Sequence, residues 1–230
     1  MDKIKQNRLL VELGLPLLAL LLLTLLFYFS DIDMQLARYF YTPVEGWRFK
    51  DFWLWQLLYR RGMIPGTIIG VIGLGGLLIG WKLPQVRRQW RSYLLLLLLL
   101  AIGPGLLVNA IFKDHWGRTR PKHVIEFGGH LPFLKVWERG EPGASKSFPS
   151  GHASIGFYVM APYFVLRKRR KKIAKGFLFG GTLYGILMGA GRLAQGGHFP
   201  SDVLWAWGIV YLTGIFLCFL LKPERLPPSD

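Results

Sequence analysis

Three short polar segments, each at the end of a long apolar run, carry the residue types that could do chemistry in this 230-residue chain. They contain Lys113, Arg120, Ser150, Gly151, His152, Arg192, His198 and Asp202. Histidine can act as a nucleophile or a proton carrier near neutral pH, and lysine and arginine bind phosphate oxygens. Ionisable residues at membrane depth are costly, so their presence beside apolar runs indicates function. The inventory is that of a site that binds a phosphate and transfers it through a histidine.

The first segment pairs Lys113 with Arg120, and Pro121 follows the arginine. Proline biases the preceding residue away from helical geometry, so we expect Arg120 outside a helix. The lysine would supply a compact charge at the membrane edge, and the arginine a planar fork that matches phosphate oxygens. Arg118 and Lys122 compete with Arg120 for this role, and the sequence alone does not separate the three.

The second segment opens an apolar stretch with Ser150, Gly151 and His152. Serine is a preferred N-cap residue, and the residues after it would expose free backbone N–H groups at a helix N-terminus. Such a terminus is an anion site, assisted by the helix dipole. A simple capped helix start would explain the serine, but it would not explain a histidine at the membrane edge.

The third segment contains Arg192, His198 and Asp202, with Pro200 suited to the first turn of the following helix. The histidine and the aspartate are four residues apart, so they share a face if that turn is helical. A carboxylate on one imidazole nitrogen would fix the tautomer and leave the other nitrogen free as a nucleophile. The alternative is an ordinary His–Asp pair at the membrane interface.

The order and inner spacings of these segments resemble the three-part signature of the type 2 phosphatidic acid phosphatase superfamily, over about residues 60–221. The matching residues are Lys113-x6-Arg120-Pro121, Pro149-Ser150-Gly151-His152 and Arg192-x5-His198-x3-Asp202. One position departs from the signature, because the family usually has serine where this chain has Gly191. That difference removes a hydroxyl near the phosphate, but it removes no charged or nucleophilic group.

The resemblance implies a role for each residue. His198 would attack phosphorus and become phosphohistidine, Asp202 would orient it, and His152 would protonate the leaving alkoxide. The phosphate oxygens would be held by Lys113, Arg120, Ser150, Gly151 and Arg192. Three cations and helix N–H groups can stabilise the charge of phosphoryl transfer without a metal, and so we expect no metal and no other cofactor.

Six apolar stretches, most of them of about 20 residues and the fourth shorter, predict an all-α fold, a six-transmembrane-helix bundle. They lie at about 9–30, 62–81, 93–112, 152–166, 176–194 and 203–221. The first stretch is long and lacks a small-residue cleavage site after it, which indicates a retained helix and not a signal peptide. We therefore expect a single integral membrane domain over 1–230. Proline residues, among them Pro104 and Pro162, predict kinks or breaks in these helices.

The net charge of +16 is unevenly distributed. The short segments 1–8, 82–92, 167–175 and 222–230 hold 16 of the 29 Lys and Arg in 37 residues, whereas the longer segments 31–61 and 113–151 hold 12 in 70 residues. By the positive-inside rule the short segments and both termini face the cytoplasm. The three polar segments then face the periplasm or the exterior of a bacterial inner membrane. The basic run 167–172 is interpreted as an anchor on anionic lipid and not as a nucleic-acid site.

Two further patterns concern the surroundings of the site. Aromatic residues crowd segment 47–59, which predicts a short interfacial helical segment that either lines a lipid entrance, with Trp53 and Trp55 touching the substrate, or only anchors two helices. Glycines spaced four apart in 66–80 and 176–189 favour close helix packing, within the monomer or across a homodimer.

Together these features predict a membrane phosphatase that removes a phosphomonoester or diphosphate headgroup from a lipid. A phosphotransferase that passes the phosphate from His198 to another lipid is an alternative, and a phospholipid transporter or scramblase is a non-enzymatic one. The candidate substrates are phosphatidylglycerophosphate, phosphatidic acid, a polyprenyl diphosphate such as undecaprenyl diphosphate, and lipid A. The segments Trp116–Pro121 and Gly196–Phe199 show a weaker resemblance to bacterial lipid A phosphatases.

Overall fold

The computed structural model describes residues 10–223, which are mostly helical. The helices are α1 (Leu10–Phe29), α2 (Ile32–Phe40), α3 (Trp53–Arg61), α4 (Ile64–Lys82), α5 (Pro84–Arg87), α6 (Trp90–His115), α7 (Gly151–Tyr158), α8 (Ala161–Leu166), α9 (Lys171–Ala194) and α10 (Pro200–Leu221). Strands β1 (Tyr41–Thr42) and β2 (Gly46–Trp47) form an antiparallel hairpin between α2 and α3. Single 3₁₀ turns lie at Pro121–His123 and Ile125–Phe127.

Five helical stretches within the described residues are long and apolar enough to cross a membrane: α1, α3 together with α4, α6, α9 and α10. The chain is therefore a multi-pass membrane protein. The predicted basic segments at both ends of the chain, 1–8 and most of 222–230, lie outside the described residues.

The fourth predicted stretch, 152–166, is divided between α7 and α8. Pro162 stands in the first turn of α8, where its missing N–H is harmless. A continuous helix would instead lose a hydrogen bond at this proline and press its ring against the carbonyl of Tyr158. The break predicted at Pro162 is thus present, and neither short helix is long enough to cross a membrane alone.

α10 lies at the centre of the bundle and contacts α1, α6, α7 and α9. In its apolar stretch 61% of the residues are buried, against 11% in α1, whose leucines remain exposed on the outer surface. Glycines of α9 permit close packing, since a Cβ would meet the ring of Phe157 at Gly185 and the side chain of Val203 at Gly189. Gly180 faces open space, and the predicted homodimer remains a prediction.

Ion pairs divide the bundle into two ends. At one end the guanidinium of Arg118 lies 2.8 Å from Asp33 and 2.6 Å from Asp202, which joins the segments 31–61, 113–151 and 195–202. At the other end the guanidinium of Arg167 lies 2.6 Å from the carboxylate of Glu12, which joins the start of α1 to the basic run 167–172. All three polar segments therefore lie at one end, which we call the motif end.

Candidate active site

Lys113 lies in the last turn of α6. Pro104, in the same helix, changes the backbone hydrogen bonding before the lysine. Pro104 lacks an N–H, and the helix is widened to π-type hydrogen bonding over Ala101–Phe112. The amide of Asn109 donates to the Pro104 carbonyl at 2.7 Å, and the Nζ of Lys113 donates to the Asn109 Oδ1 at 3.3 Å. Asn109, which the sequence did not single out, thus connects the proline to the lysine.

Arg120 has an extended backbone (φ −76°, ψ 149°), as expected for a residue before proline. Its N–H donates to the Oγ of Ser145 at 3.0 Å, and its Nε donates to the carbonyl of Lys146 at 3.3 Å. The terminal amino groups of its guanidinium make no hydrogen bond to residues 10–223, so they are available to a ligand. Lys122 is exposed and bonds through its backbone to Gly196.

Arg118 is fully buried and its donors are already used. It donates to the carbonyl of Leu134 at 3.0 Å, to the Oγ of Ser201 at 2.7 Å, and to the carboxylates of Asp33 and Asp202. The hydroxyl and the N–H of Ser201 donate to Asp33 in turn. Of the three competing basic residues, Arg118 is therefore part of a structural network and Lys122 is exposed, whereas Arg120 is half-buried and keeps its terminal amino groups unused by residues 10–223.

The second segment begins α7 as the sequence predicts. The Oγ of Ser150 accepts from the N–H of Ala153 at 3.4 Å, which is an N-cap bond. The N–H of Ser150 donates to the carbonyl of Asp202 at 3.2 Å. A Cβ at Gly151 would lie 2.7 Å from the Nζ of Lys113, so only glycine lets the lysine approach the start of this helix so closely. The three polar segments are thereby brought together.

Arg192 lies in the last turn of α9. Its Nη1 donates to the Oε1 of Gln195 at 2.5 Å, whereas its Nε is buried and has no hydrogen-bond partner among residues 10–223. A Cβ at Gly197 would collide with its guanidinium. A buried donor without a partner is costly, and a bound anion would satisfy it. The Nε of Arg192 is therefore a buried donor that the described residues leave unsatisfied.

His198 follows Gly197 in the loop between α9 and α10 and is 2% exposed. Its Nδ1 lies 2.6 Å from the carbonyl of Ser147 and 3.7 Å from the carboxylate of Asp202. A carbonyl can only accept, so Nδ1 carries the proton and Nε2 carries the free lone pair. Burial lowers the pKa of His198 to about 4, although the nearby carboxylate of Asp202 raises it. The imidazole is therefore neutral near pH 7.

Asp202 lies in the first turn of α10 and is fully buried. Its Oδ1 accepts from Arg118 at 2.6 Å, and its Oδ2 accepts from the Oγ of Ser147 at 2.6 Å and from the N–H of Phe199 at 2.8 Å. Ser147 thus contacts both residues of the predicted His–Asp pair, through its carbonyl and its hydroxyl. The sequence did not single out Ser147, whose only signal is its place three residues before Ser150.

His152 is half-buried in the first turn of α7 and stacks on Tyr59 of α3, with ring centroids 4.8 Å apart and planes 17° apart. The guanidinium of Arg192 also lies over the ring of Tyr59, with its Cζ 4.8 Å from the ring centroid. These residues line a cleft with Trp55, Leu58, Met188, Gly191 and Gln195. Trp55 packs on Gly191, where the family usually has serine, whereas Trp53 is 66% exposed on the outer side of α3.

A family model described as the PAP2 superfamily matches residues 93–225, more than half of the chain. The chain belongs to the PAP2 superfamily. The resemblance to type 2 phosphatidic acid phosphatases found in the sequence is thereby confirmed, and the matched region holds all three polar segments.

Curated relatives agree with this membership. Lipid A 4'-phosphatase of Francisella tularensis subsp. novicida is 33% identical over 193 residues, which cover 80% of this chain and 84% of the relative. Lipid A 4'-phosphatase of Rhizobium leguminosarum is 39% identical over 110 residues, covering 47% of this chain and 46% of the relative. Phosphatidylglycerophosphatase B of Bacillus subtilis is 26% identical over 181 residues, covering 72% and 77%. No solved structure matches.

Proposed function

We propose that this PAP2 protein is a membrane lipid-phosphate phosphatase that acts through a phosphohistidine at His198. Its family and the names of its relatives support a phosphoric ester hydrolase that acts on lipid phosphates. The observation that carries the proposed mechanism is the environment of His198. The bond from Nδ1 to the Ser147 carbonyl fixes the tautomer, and burial keeps the ring neutral, so Nε2 is a nucleophile near pH 7.

The proposed reaction has two steps. In the first, Nε2 of His198 attacks phosphorus, the bond from phosphorus to the lipid oxygen breaks, and His152 gives its proton to that oxygen. His152 enters this step as an imidazolium, because the negative charge of a bound phosphate favours the protonated form of a nearby imidazole. In the second, water attacks the phosphohistidine, His152 takes a proton from the water, and the P–N bond breaks to release phosphate. The same histidine can serve both steps because the second reverses the proton transfer of the first.

The phosphate would be held by the donors that the fold leaves unused. These are the buried Nε of Arg192, the terminal amino groups of Arg120, the two N–H groups of the Lys113 Nζ that do not donate to Asn109, and the N-terminus of α7 behind Ser150. Stabilising the equatorial oxygens and aligning the phosphate with the nucleophile account for most of the catalysis of phosphoryl transfer. Asp202 acts as a positioning residue, because its contacts to Ser147 and Arg118 hold the loop that carries His198.

We propose six membrane crossings, with α7 and α8 together forming the fourth. In this arrangement the motif end faces the periplasm, since the basic run 167–172 lies at the opposite end and favours the cytoplasm. Accessibility labelling of single cysteines at Gly129 and Lys171 tests this orientation. We expect labels on opposite sides of the membrane, and labelling from one side would contradict the six-crossing arrangement.

Among lipid phosphates we propose a lipid A phosphomonoester, because the relative that aligns with 80% of this chain is a lipid A 4'-phosphatase. The purified protein should release phosphate from lipid A faster than from phosphatidylglycerophosphate, phosphatidic acid or undecaprenyl diphosphate. His198→Asn should abolish release from every lipid, whereas His130→Asn, at an exposed position of the same end, should not. Transfer of labelled phosphate to a second lipid, without free phosphate, would favour the phosphotransferase alternative.

The same assay tests for a metal. Within residues 10–223 no group of three or more His, Cys, Asp or Glu residues lies close enough to hold a metal ion. The site also carries three basic side chains, at Lys113, Arg120 and Arg192, that can neutralise the phosphate. We expect phosphate release to survive EDTA, and a loss that added metal restores would contradict this expectation.

A further inference from the structure

Tyr59 has contacts that the reaction proposed above does not use. It lies in the short helix α3. Just after this helix, the carbonyl of Gly62 accepts a hydrogen bond from the hydroxyl of Tyr184 in α9 at 2.8 Å. Leu58 is buried on the side of α3 that faces the bundle, and Trp55 packs against Gly191 of α9. Contacts at several points along α3 therefore fix this helix to α9. Tyr59 thus belongs to a helix that is packed against the bundle, and not to a loop.

The ring of Tyr59 contacts two residues of the site. The imidazole of His152 stacks on it with planes 17° apart, and the guanidinium of Arg192 lies over the ring, 4.8 Å from its centroid. Arginine is attracted to the face of an aromatic ring, and the contact is stronger where water is excluded. One aromatic side chain is therefore in contact with both the residue proposed to donate the proton and the residue proposed to bind the phosphate.

The orientation of the His152 ring depends on the stack with Tyr59, whereas that of His198 depends on a hydrogen bond. No hydrogen bond to residues 10–223 involves the ring nitrogens of His152, whereas the Nδ1 of His198 is held by the Ser147 carbonyl. The stack on Tyr59 engages a face of the imidazole and not its nitrogens, and it restricts the tilt of the plane. A ring held in this way can exchange a proton with solvent and still meet the leaving oxygen in one orientation.

We propose that Tyr59 is a positioning residue, whose ring holds the imidazole of His152 in register with the guanidinium of Arg192. The inference rests on the proposed phosphatase activity and on His152 as its proton donor. It also assigns to α3 a part in the reaction that an interfacial anchor would not have. The ring, and not the hydroxyl, is the group that makes both contacts.

The test compares two small phosphate esters that differ in their leaving groups. Octyl phosphate needs a proton on its leaving alkoxide, whereas p-nitrophenyl phosphate releases a stable phenolate. A positioned acid contributes about 10²–10⁴-fold, so loss of its orientation should cost a part of that factor, and only for the poor leaving group. We expect Tyr59→Leu to lower kcat about 10–100-fold for octyl phosphate and about threefold or less for p-nitrophenyl phosphate.

Further variants test whether the aromatic ring of Tyr59, and not its hydroxyl, causes the effect. Tyr59→Phe keeps both contacts and should stay within about twofold of the wild type on both esters, because no proton transfer is assigned to the hydroxyl. Tyr39→Leu removes a tyrosine that is 67% exposed at the same end of the molecule, and it should change neither rate. If Tyr59→Leu does not fold, Tyr59→Met replaces the ring with an unbranched side chain and should show the same selective loss.

The outcomes separate this inference from the proposed function. If the wild type releases no phosphate, or if His198→Asn is as active as the wild type, the proposed function is wrong. If the wild type is active but Tyr59→Leu lowers both rates equally, Tyr59 supports only the fold or the phosphate site. Unchanged rates in Tyr59→Leu, or a selective loss in Tyr59→Phe, would also overturn the assignment to the ring.

Discussion

The two histidines of the site are held in different ways. His198 is 2% exposed and its Nδ1 donates to a backbone carbonyl, which is itself part of a buried network. His152 is half-buried, stacks on Tyr59 and makes no hydrogen bond through its ring to residues 10–223. A nucleophile needs a fixed tautomer and a permanently free lone pair, whereas an acid must gain and lose a proton in each cycle. The contrast in burial therefore matches the contrast in proposed roles.

The network behind His198 explains why one histidine can be so fully buried. Arg118 donates to two carboxylates, Asp33 and Asp202, and the second of these holds Ser147 in place. A buried charge is tolerated only when it is paired and hydrogen-bonded, and here every member is. Among residues 10–223 no such network supports His152, which stacks on the ring of Tyr59 from α3.

The largest expected loss of activity comes from replacing His152, the proposed proton donor. His152→Asn should lower kcat for octyl phosphate about 10²–10⁴-fold, because the leaving alkoxide then departs without a proton. The loss for p-nitrophenyl phosphate should be much smaller, since its leaving group needs no acid. Parallel measurements of kcat on the two esters check this prediction, and equal losses would show that His152 binds phosphate and does not donate a proton.

The next effect concerns the network behind the nucleophile. Arg118→Leu leaves the carboxylates of Asp33 and Asp202 buried without their partner, which should cost about 3–5 kcal/mol of folding free energy. Arg38→Leu is the matched control, since Arg38 pairs with Asp31 and Glu126 at an exposed site, where such pairs contribute about 0–1 kcal/mol. Denaturation of both variants in detergent measures the difference. Similar stability would mean that the buried network does not support the site.

The smallest effect is a shift in titration. The pKa of His198 is about 4, lowered chiefly by burial, whereas the ordinary value for histidine is 6.5. Because the folded pKa is the lower one, His198 should stay neutral as the pH falls from 7 and should gain a proton only near pH 4. Nitrogen chemical shifts of labelled histidine, assigned with His198→Asn, report this directly. Titration near pH 6.5 would show that the ring is solvated and not buried.

Much of this arrangement follows from the sequence because it depends on local pattern. The apolar runs place each polar segment at a helix end, Ser150 caps α7, and Pro162 marks the break before α8. The unequal charge of the loops also predicts that the three segments share one end of the bundle, as they do. These features need only helix length, capping preference and the geometry of proline.

The remaining features depend on contacts between distant segments, and no local pattern reports them. Arg118 and Arg120 lie two residues apart in one loop, and only the positions of Asp33 and Asp202 show which of them is already paired. Asp202 was expected to orient His198 directly, yet the Nδ1 is 2.6 Å from the Ser147 carbonyl and 3.7 Å from the carboxylate. Tyr59 belongs to a segment whose aromatic residues predict either a lipid entrance or an interfacial anchor, and neither pattern indicates a contact with His152.

The central claim is that His198 carries the phosphate and His152 carries the proton, and trapping the covalent intermediate tests it most directly. The protein is mixed with 32P-labelled p-nitrophenyl phosphate, quenched in alkali and mapped by mass spectrometry. We predict an acid-labile, alkali-stable label on His198, absent in His198→Asn and more abundant in His152→Asn, where water attacks the intermediate without a base. A label on another residue, or labelling that persists in His198→Asn, would contradict the account.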